Sequence, residues 1–280
     1  MKQRIQASRE REVLSLISGI TFSSTPVWYN ATRRDLKMDV LFPKHHTQHR
    51  PCPAIIWVCG GAFQSVDRSV WIPELEGFAR AGYVVASIEY RLSGEASFPA
   101  ALIDCKAAIR YLRAHASELC IDPERIYIMG ESAGGCLASL VGVTAGMQEY
   151  EQGDWLEFSS RVQAVVDYYG VVQMPPEPTH FDGDLPYWTL EAFVGANYRP
   201  EQAEAASAVS LVSQSTPPVM ILHGTADAIV PIELSRLFYD RLTAAGIRAE
   251  YLELEGAEHG DDAFYQPEIQ QRILDFLGSI

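Results

Sequence analysis

Ser132 sits in Gly130-Glu131-Ser132-Ala133-Gly134-Gly135, a spacing that can make a hydroxyl into a nucleophile. The apolar run Arg125-Ile126-Tyr127-Ile128-Met129 before it reads as a strand, and the small residues from Ala133 onward read as a helix. A serine at a sharp strand-to-helix turn is lifted clear of the backbone, where a base and a substrate can reach it. Gly130 and Gly134 let strand and helix approach around it, and a glycine tolerates backbone angles that a Cβ would forbid. A Gly/Ser-rich turn without chemistry is the alternative, and only partner residues decide against it.

A serine hydroxyl needs a base to take its proton, and a histidine held by a carboxylate is the usual one. Asp227 follows the apolar run 219–222 in His223-Gly224-Thr225-Ala226-Asp227, and Val230-Pro231 opens the next helix. His259 follows the alternating run 251–254 in Glu255-Gly256-Ala257-Glu258-His259-Gly260. Both lie just past strand ends, in the order serine, acid, histidine. Asp182, Asp184 and Glu233 are weaker candidates for the acid, and His223 reads as a structural hydrogen-bonder. A tetrahedral intermediate also needs N–H donors aimed at its oxyanion. Cys59-Gly60-Gly61-Ala62-Phe63 follows the apolar run 54–58, so Gly61 and Ala62 are the candidate donors, with Ala133 as the third. Cys59 has no base beside it and reads as a buried small residue rather than a nucleophile.

These groups need a rigid frame. Apolar runs at 54–59, 83–88, 126–129, 162–168 and 218–222 alternate with helical patterns at 74–81, 99–116, 133–144 and 231–245. A strand over 249–254 and a helix over 267–277 follow. Continuous apolar strands alternating with helices predict an α/β fold with a mostly parallel central sheet and helices on both faces. Leu36, Met38, Val40 and Phe42 alternate as a half-buried strand near one edge. Residues 3–17 carry a weak helical pattern, and 1–30 read as an N-terminal arm. Residues 171–216, rich in proline and aromatics, read as a lid or cap insertion in a single 1–280 domain. Phe63, Gln64, Trp71, Tyr187, Trp188 and Phe193 are the aromatic and polar candidates for a substrate pocket. His45, His46 and His49 fall in a Pro-bracketed polar stretch that reads as a solvated turn rather than a metal site.

The 280 residues are 48% hydrophobic and 21% charged, enough for a large core. A net charge of −14 disfavours nucleic acid and anionic membranes as partners. The charged N-terminus lacks the apolar stretch of a signal peptide, and five cysteines without a C-x-x-C pair suggest reduced thiols in the cytoplasm.

With the elbow, acid, histidine and glycine loop in place, the chain resembles the α/β-hydrolases. More narrowly, it is similar to the lipases and esterases around hormone-sensitive lipase, in the branch of feruloyl- and acetylxylan-esterase-like proteins of the BD-FAE type. Glu89-Tyr90-Arg91-Leu92-Ser93, Phe98-Pro99-Ala100-Ala101, Ile121-Asp122-Pro123-Glu124-Arg125-Ile126, the elbow and His223-Gly224-Thr225-Ala226-Asp227 carry the likeness, which runs from about Leu36 to the C-terminus. It implies an α/β-hydrolase fold and a serine carboxylesterase with Ser132, Asp227 and His259 as triad and no metal or organic cofactor. Short acyl groups on a small sugar or alcohol are the implied substrates. A homodimer is the assembly left open. Two residues depart from the family loop: Cys59 stands where a histidine is usual, and Ala62 where the last glycine is usual. Amide cleavage by a small peptidase or formamidase on the same fold is a second reading. A non-catalytic binding protein is a third.

Overall fold

The apolar runs that follow Pro51, Gly82 and Asp122-Pro123 lie side by side at the centre of one sheet. In the computed structural model, which describes residues 1, 3–7, 11–44, 50–178 and 181–280, the strands are β1 (Leu14–Val27), β2 (Thr32–Pro43), β3 (Cys52–Val58), β4 (Val84–Ile88), β5 (Ile121–Glu131), β6 (Val165–Tyr168), β7 (Val219–Gly224) and β8 (Ala249–Leu254). The helices are α1 (Ile72–Arg80), α2 (Ala100–Ala114), α3 (Ala133–Val143), α4 (Tyr187–Val194), α5 (Pro200–Ala205), α6 (Ala208–Leu211), α7 (Ile232–Ala244) and α8 (Pro267–Gly278). The sheet order is β1-β2-β4-β3-β5-β6-β7-β8. β1 and β2 are antiparallel to their neighbours, and every pairing from β4 to β8 is parallel.

Alternation along the strands divides the core in two. Ala54, Ile56 and Val58 of β3 face the same core as α2, α3 and Phe238 of α7. Ile55 and Trp57 face the opposite core, with Leu75 and Phe78 of α1 and Phe276 of α8. Both faces of the central strands are therefore dry, which is why their sequences read as unbroken apolar runs. The parallel strands all end on one side, where the crossover loops leave them. That is where ligands sit in open α/β sheets.

The first thirty residues depart from the sequence reading. Leu14–Val27 is the edge strand rather than part of a helical arm. Its pairing with β2 shifts register between Ile17 and Ile20 and again between Thr21 and Ser23. Each bulge flips the inward face, so the alternation that marks a strand is scrambled. The proline-rich insertion holds α4, α5 and α6. His45, His46, His49 and His180 lie outside the described residues. Among the described residues no helix is long and apolar enough to cross a membrane.

Candidate active site

Ser132 stands between the last residue of β5 and the first of α3 with φ 56° and ψ −121°. A side chain at positive φ is held there only by its surroundings. The Ser132 N–H donates to the Tyr168 carbonyl, 2.9 Å away on β6. The flanking glycines are required sterically. A Cβ on Gly130 would strike the Gly134 carbonyl, and one on Gly134 would strike the Val58 carbonyl at the end of β3. Strand, helix and neighbouring strand meet here at backbone distance.

Three side chains from three loops form a hydrogen-bonded chain. Ser132 Oγ is 2.9 Å from His259 Nε2, and His259 Nδ1 is 2.7 Å from Asp227 Oδ2. Nδ1 faces a carboxylate, which only accepts, so the proton sits on Nδ1 and Nε2 is left with the lone pair. That is the tautomer a base for Ser132 needs. The second oxygen, Asp227 Oδ1, accepts the N–H groups of Ile229 and Val230, each at 2.9 Å. Asp227 thus shapes its own loop with one oxygen and orients an imidazole with the other.

His223 completes the support. It is fully buried, with Nε2 placed 3.0 Å from the Val230 carbonyl and 3.2 Å from Asp227 Oδ2. Both partners accept, so His223 Nε2 carries the proton, and Nδ1 takes the Ser235 hydroxyl at 2.7 Å. Burial works to raise the Asp227 carboxyl, but hydrogen bonds from His223, His259 and Val230 outweigh it and hold Asp227 well below the usual carboxylate range. The acid stays ionised wherever the histidine is useful. Asp184 touches this loop through its N–H to the Ala228 carbonyl, and Glu233 pairs with Arg236.

The loop after β3 faces the elbow. Gly61, Ala62 and Phe63 have φ of 122°, 52° and 61°, a left-handed run in which two residues carry side chains. The Gly61 and Ala62 N–H groups have no acceptor among the described residues. Ala133 is the first residue of α3, so its N–H has no carbonyl one turn back. These three amides are free to receive an oxyanion. Gly60 N–H is not, because it donates to Glu131 Oε1.

Glu131 is the contact that sequence reasoning missed. It precedes the serine, is 8% exposed, and accepts from Gly60 N–H and from the Trp71 indole at 3.2 Å. Burial pushes its carboxyl up, and these two hydrogen bonds offset the effect only in part. The signal was present: an acidic residue at the end of an apolar strand must find N–H partners if it is buried. Tyr90 is the second brace, its hydroxyl donating to the Cys59 carbonyl at 2.8 Å. Cys59 is buried, with Sγ 3.4 Å from the Asp67 carbonyl and 3.6 Å from Ser87 Oγ. Burial pushes its thiol up to about 12, so it is no nucleophile.

The expected pocket residues divide. Phe63 and Phe193 are 1% and 2% exposed and stack on each other at 3.8 Å. Both are buried and packed against each other rather than open to solvent. Trp71 is half-buried and stacks on Tyr265 at 4.4 Å. Gln64 is exposed, as are Tyr187 and Trp188 on α4. Among the described residues no cluster of His, Cys, Asp and Glu could hold a metal ion.

A parallel sheet flanked by helices, with a serine elbow in line with a histidine and an aspartate, defines an α/β-hydrolase fold. The comparisons narrow it. The BD-FAE family matches residues 38–242, and the chain belongs to that family. The chain is 34% identical to Esterase LipC of Mycobacterium tuberculosis (strain ATCC 25618 / H37Rv) over 220 residues, covering 76% of this chain and 54% of LipC. It spans about half the length of the curated relatives it matches. Among solved structures, a truncated carbohydrate esterase from gut microbiota superposes with a TM-score of 0.78 at 27% identity, covering 97% of this chain and 98% of that one. Thermogutta terrifontis esterase 2, phosphonylated by sarin, gives 0.75 at 27% identity, covering 98% of this chain and 95% of that one.

Proposed function

We propose that the chain is a serine carboxylesterase that cleaves short-chain acyl esters, with acetyl or feruloyl groups on small sugars or oligosaccharides as the preferred class. The observation that carries this reading is the chain Ser132 Oγ–His259 Nε2 at 2.9 Å and His259 Nδ1–Asp227 Oδ2 at 2.7 Å, in the tautomer a general base requires. The esterase titles among the relatives and neighbours support the ester class, and the sarin-modified neighbour supports a phosphonylatable nucleophile.

In this mechanism His259 Nε2 takes the Ser132 proton as Oγ attacks the ester carbonyl. The oxyanion is received by the N–H groups of Gly61, Ala62 and Ala133. Asp227 stabilises the imidazolium without taking its proton. His259 then gives that proton to the leaving alcohol, and an acyl group remains on Ser132. Water, deprotonated by His259, releases the acid. Residues 1–280 act as one hydrolase domain, with 171–216 as the cap over the site. The five unpaired cysteines favour a reducing compartment such as the cytoplasm.

The test is hydrolysis of p-nitrophenyl acetate together with labelling by a fluorophosphonate probe. Ser132→Ala should lose about three orders of magnitude or more in kcat and all labelling while melting at the wild-type temperature. Turnover or labelling retained by a pure, folded Ser132→Ala protein overturns the proposal.

A further inference from the structure

The tip of the β1–β2 hairpin is built in an unusual way. Trp28, Tyr29 and Asn30 have φ of 49°, 55° and 67°, and the Ala31 N–H closes the turn on the Trp28 carbonyl at 3.0 Å. Turns of this hand normally use Asn-Gly, because large side chains rarely adopt positive φ. Here two of the three positions are aromatic. Strain of this kind persists only when the surroundings impose it, and it points toward function rather than away from it.

At Trp28 the surroundings impose it. The Trp28 N–H donates to the Glu95 carbonyl at 2.9 Å, and the indole N–H donates to the Gly94 carbonyl at 3.0 Å. The indole is pinned at its nitrogen yet remains 54% exposed, and Tyr29 projects wholly into solvent. The receiving loop, residues 91–97, is itself rigid. Arg91 is locked to buried Asp104, and the Leu92 N–H donates to Glu95 Oε2 at 2.9 Å. Between the hairpin tip, this loop and the end of α4 lies a cavity of about 430 Å3, lined by Trp28, Tyr29, Asn30, Ser93, Glu95 and Ser97 among others. That volume lies in the range of ligand pockets.

The cavity lies on the catalytic side of the sheet. Met38 of β2 is level with Ile88, the last residue of β4, so residues 32–37 run past the end where the parallel strands stop. The loop at 91–97 is tied to the glycine loop opposite Ser132, because the Ser93 N–H donates to the Phe63 carbonyl at 2.9 Å. The loop that lines the cavity is therefore joined through its backbone to the loop that carries the oxyanion donors.

A pinned indole and a solvent-facing tyrosine ring, beside a rim of hydroxyl, amide and carboxyl groups, match a ligand with one apolar face and a polar edge. A pyranose has that form. Its C–H face lies on an aromatic ring and its hydroxyls bond to the rim. The net charge of −14 favours a neutral ligand over a polyanion. Resting on the esterase reading above, we propose that Trp28 and Tyr29 form a distal subsite for the neutral glycan part of an acylated oligosaccharide whose ester lies at Ser132.

The experiment compares kcat/KM for acetylated xylotetraose and for p-nitrophenyl acetate in wild type, Trp28→Ala, Tyr29→Ala and Trp28→Phe. The ratio of the two should fall about tenfold in the alanine variants, chiefly through KM, and should be largely kept in Trp28→Phe, which preserves a stacking ring. Unacetylated xylotetraose should also quench tryptophan fluorescence of the wild type, and less so in the alanine variants. Equal losses on both substrates, or wild-type turnover of the oligosaccharide that the variants match, overturn the subsite. If the wild type hydrolyses neither substrate, the esterase reading fails instead. The fluorescence titration then decides the subsite alone, and no quenching by xylotetraose overturns it.

Discussion

The Tyr169 ring stands edge-on to the His259 imidazole, with centroids 4.7 Å apart and planes at 60°. Tyr169 is fully buried at φ 42°, and its hydroxyl lies 3.2 Å from that of Tyr265. Tyr265 in turn stacks on Trp71, whose indole donates to Glu131. The base and the glycine loop are thus connected by one row of aromatic side chains. Tyr169→Phe, which keeps the ring and loses one hydrogen bond, should cost about 1 kcal/mol of stability and little activity. Tyr169→Leu should lower kcat by about tenfold with KM nearly unchanged, because it frees the imidazole without touching substrate. Steady-state kinetics with a short ester separates the two.

Asp227 gives a prediction with a definite sign. Its folded carboxyl is held below the ordinary 3.8, so its contribution to stability is complete above that value and is lost as pH falls toward the depressed one. Melting curves of wild type and Asp227→Asn should be furthest apart at pH 5–7 and converge below about pH 4. The same variant should lose about four orders of magnitude in kcat, since an amide no longer fixes the Nδ1–H tautomer.

Glu131 runs the other way. Its folded carboxyl is raised above the ordinary 4.5, so its contribution is complete below 4.5 and is lost as pH rises through the raised value. Glu131→Gln keeps an acceptor for the Gly60 N–H without a buried charge. Its melting temperature relative to wild type should therefore climb between pH 4 and pH 8. Glu131→Ala removes the brace and should cut kcat by about tenfold, less than the 10²–10³ of deleting an oxyanion donor outright. A melting advantage of Glu131→Gln that is flat with pH would count against this account.

Ala62 holds a left-handed conformation that costs an alanine about 1 kcal/mol, while a glycine there regains about 0.4–1 kcal/mol of freedom in the unfolded chain. The two nearly cancel. Ala62→Gly should change stability by no more than about 0.5 kcal/mol and keep activity, whereas the β-branched Ala62→Val should lose both. Thermal melts and p-nitrophenyl acetate assays report on each.

What could be read in the sequence was whatever depends on neighbours along the chain. The elbow, the acid after the 219–222 run and the histidine between glycines announce themselves through turn chemistry at strand ends. Tyr90 and Tyr169 do not, because their roles arise from residues brought near only by the sheet, and Glu131 announces a need for N–H donors without saying that Gly60 and Trp71 supply them. The burial of Phe63 is hidden for the same reason. An aromatic beside a glycine loop looks like a pocket wall until Phe193, 130 positions away, closes over it. The edge strand was hidden by its own bulges rather than by weak composition.

Gly134 has no room for even a methyl group, since the carbonyl of Val58 already occupies that space. The position of Ser132 is therefore set by main chain against main chain and can scarcely drift. Variation that retunes such a site must come from elsewhere. The loop at 91–97, the hairpin tip and helices α4 to α6 can change shape and chemistry while the Ser132 oxygen stays in place. A library aimed at new substrates would do well to leave 130–135 alone and spend its diversity on those three segments.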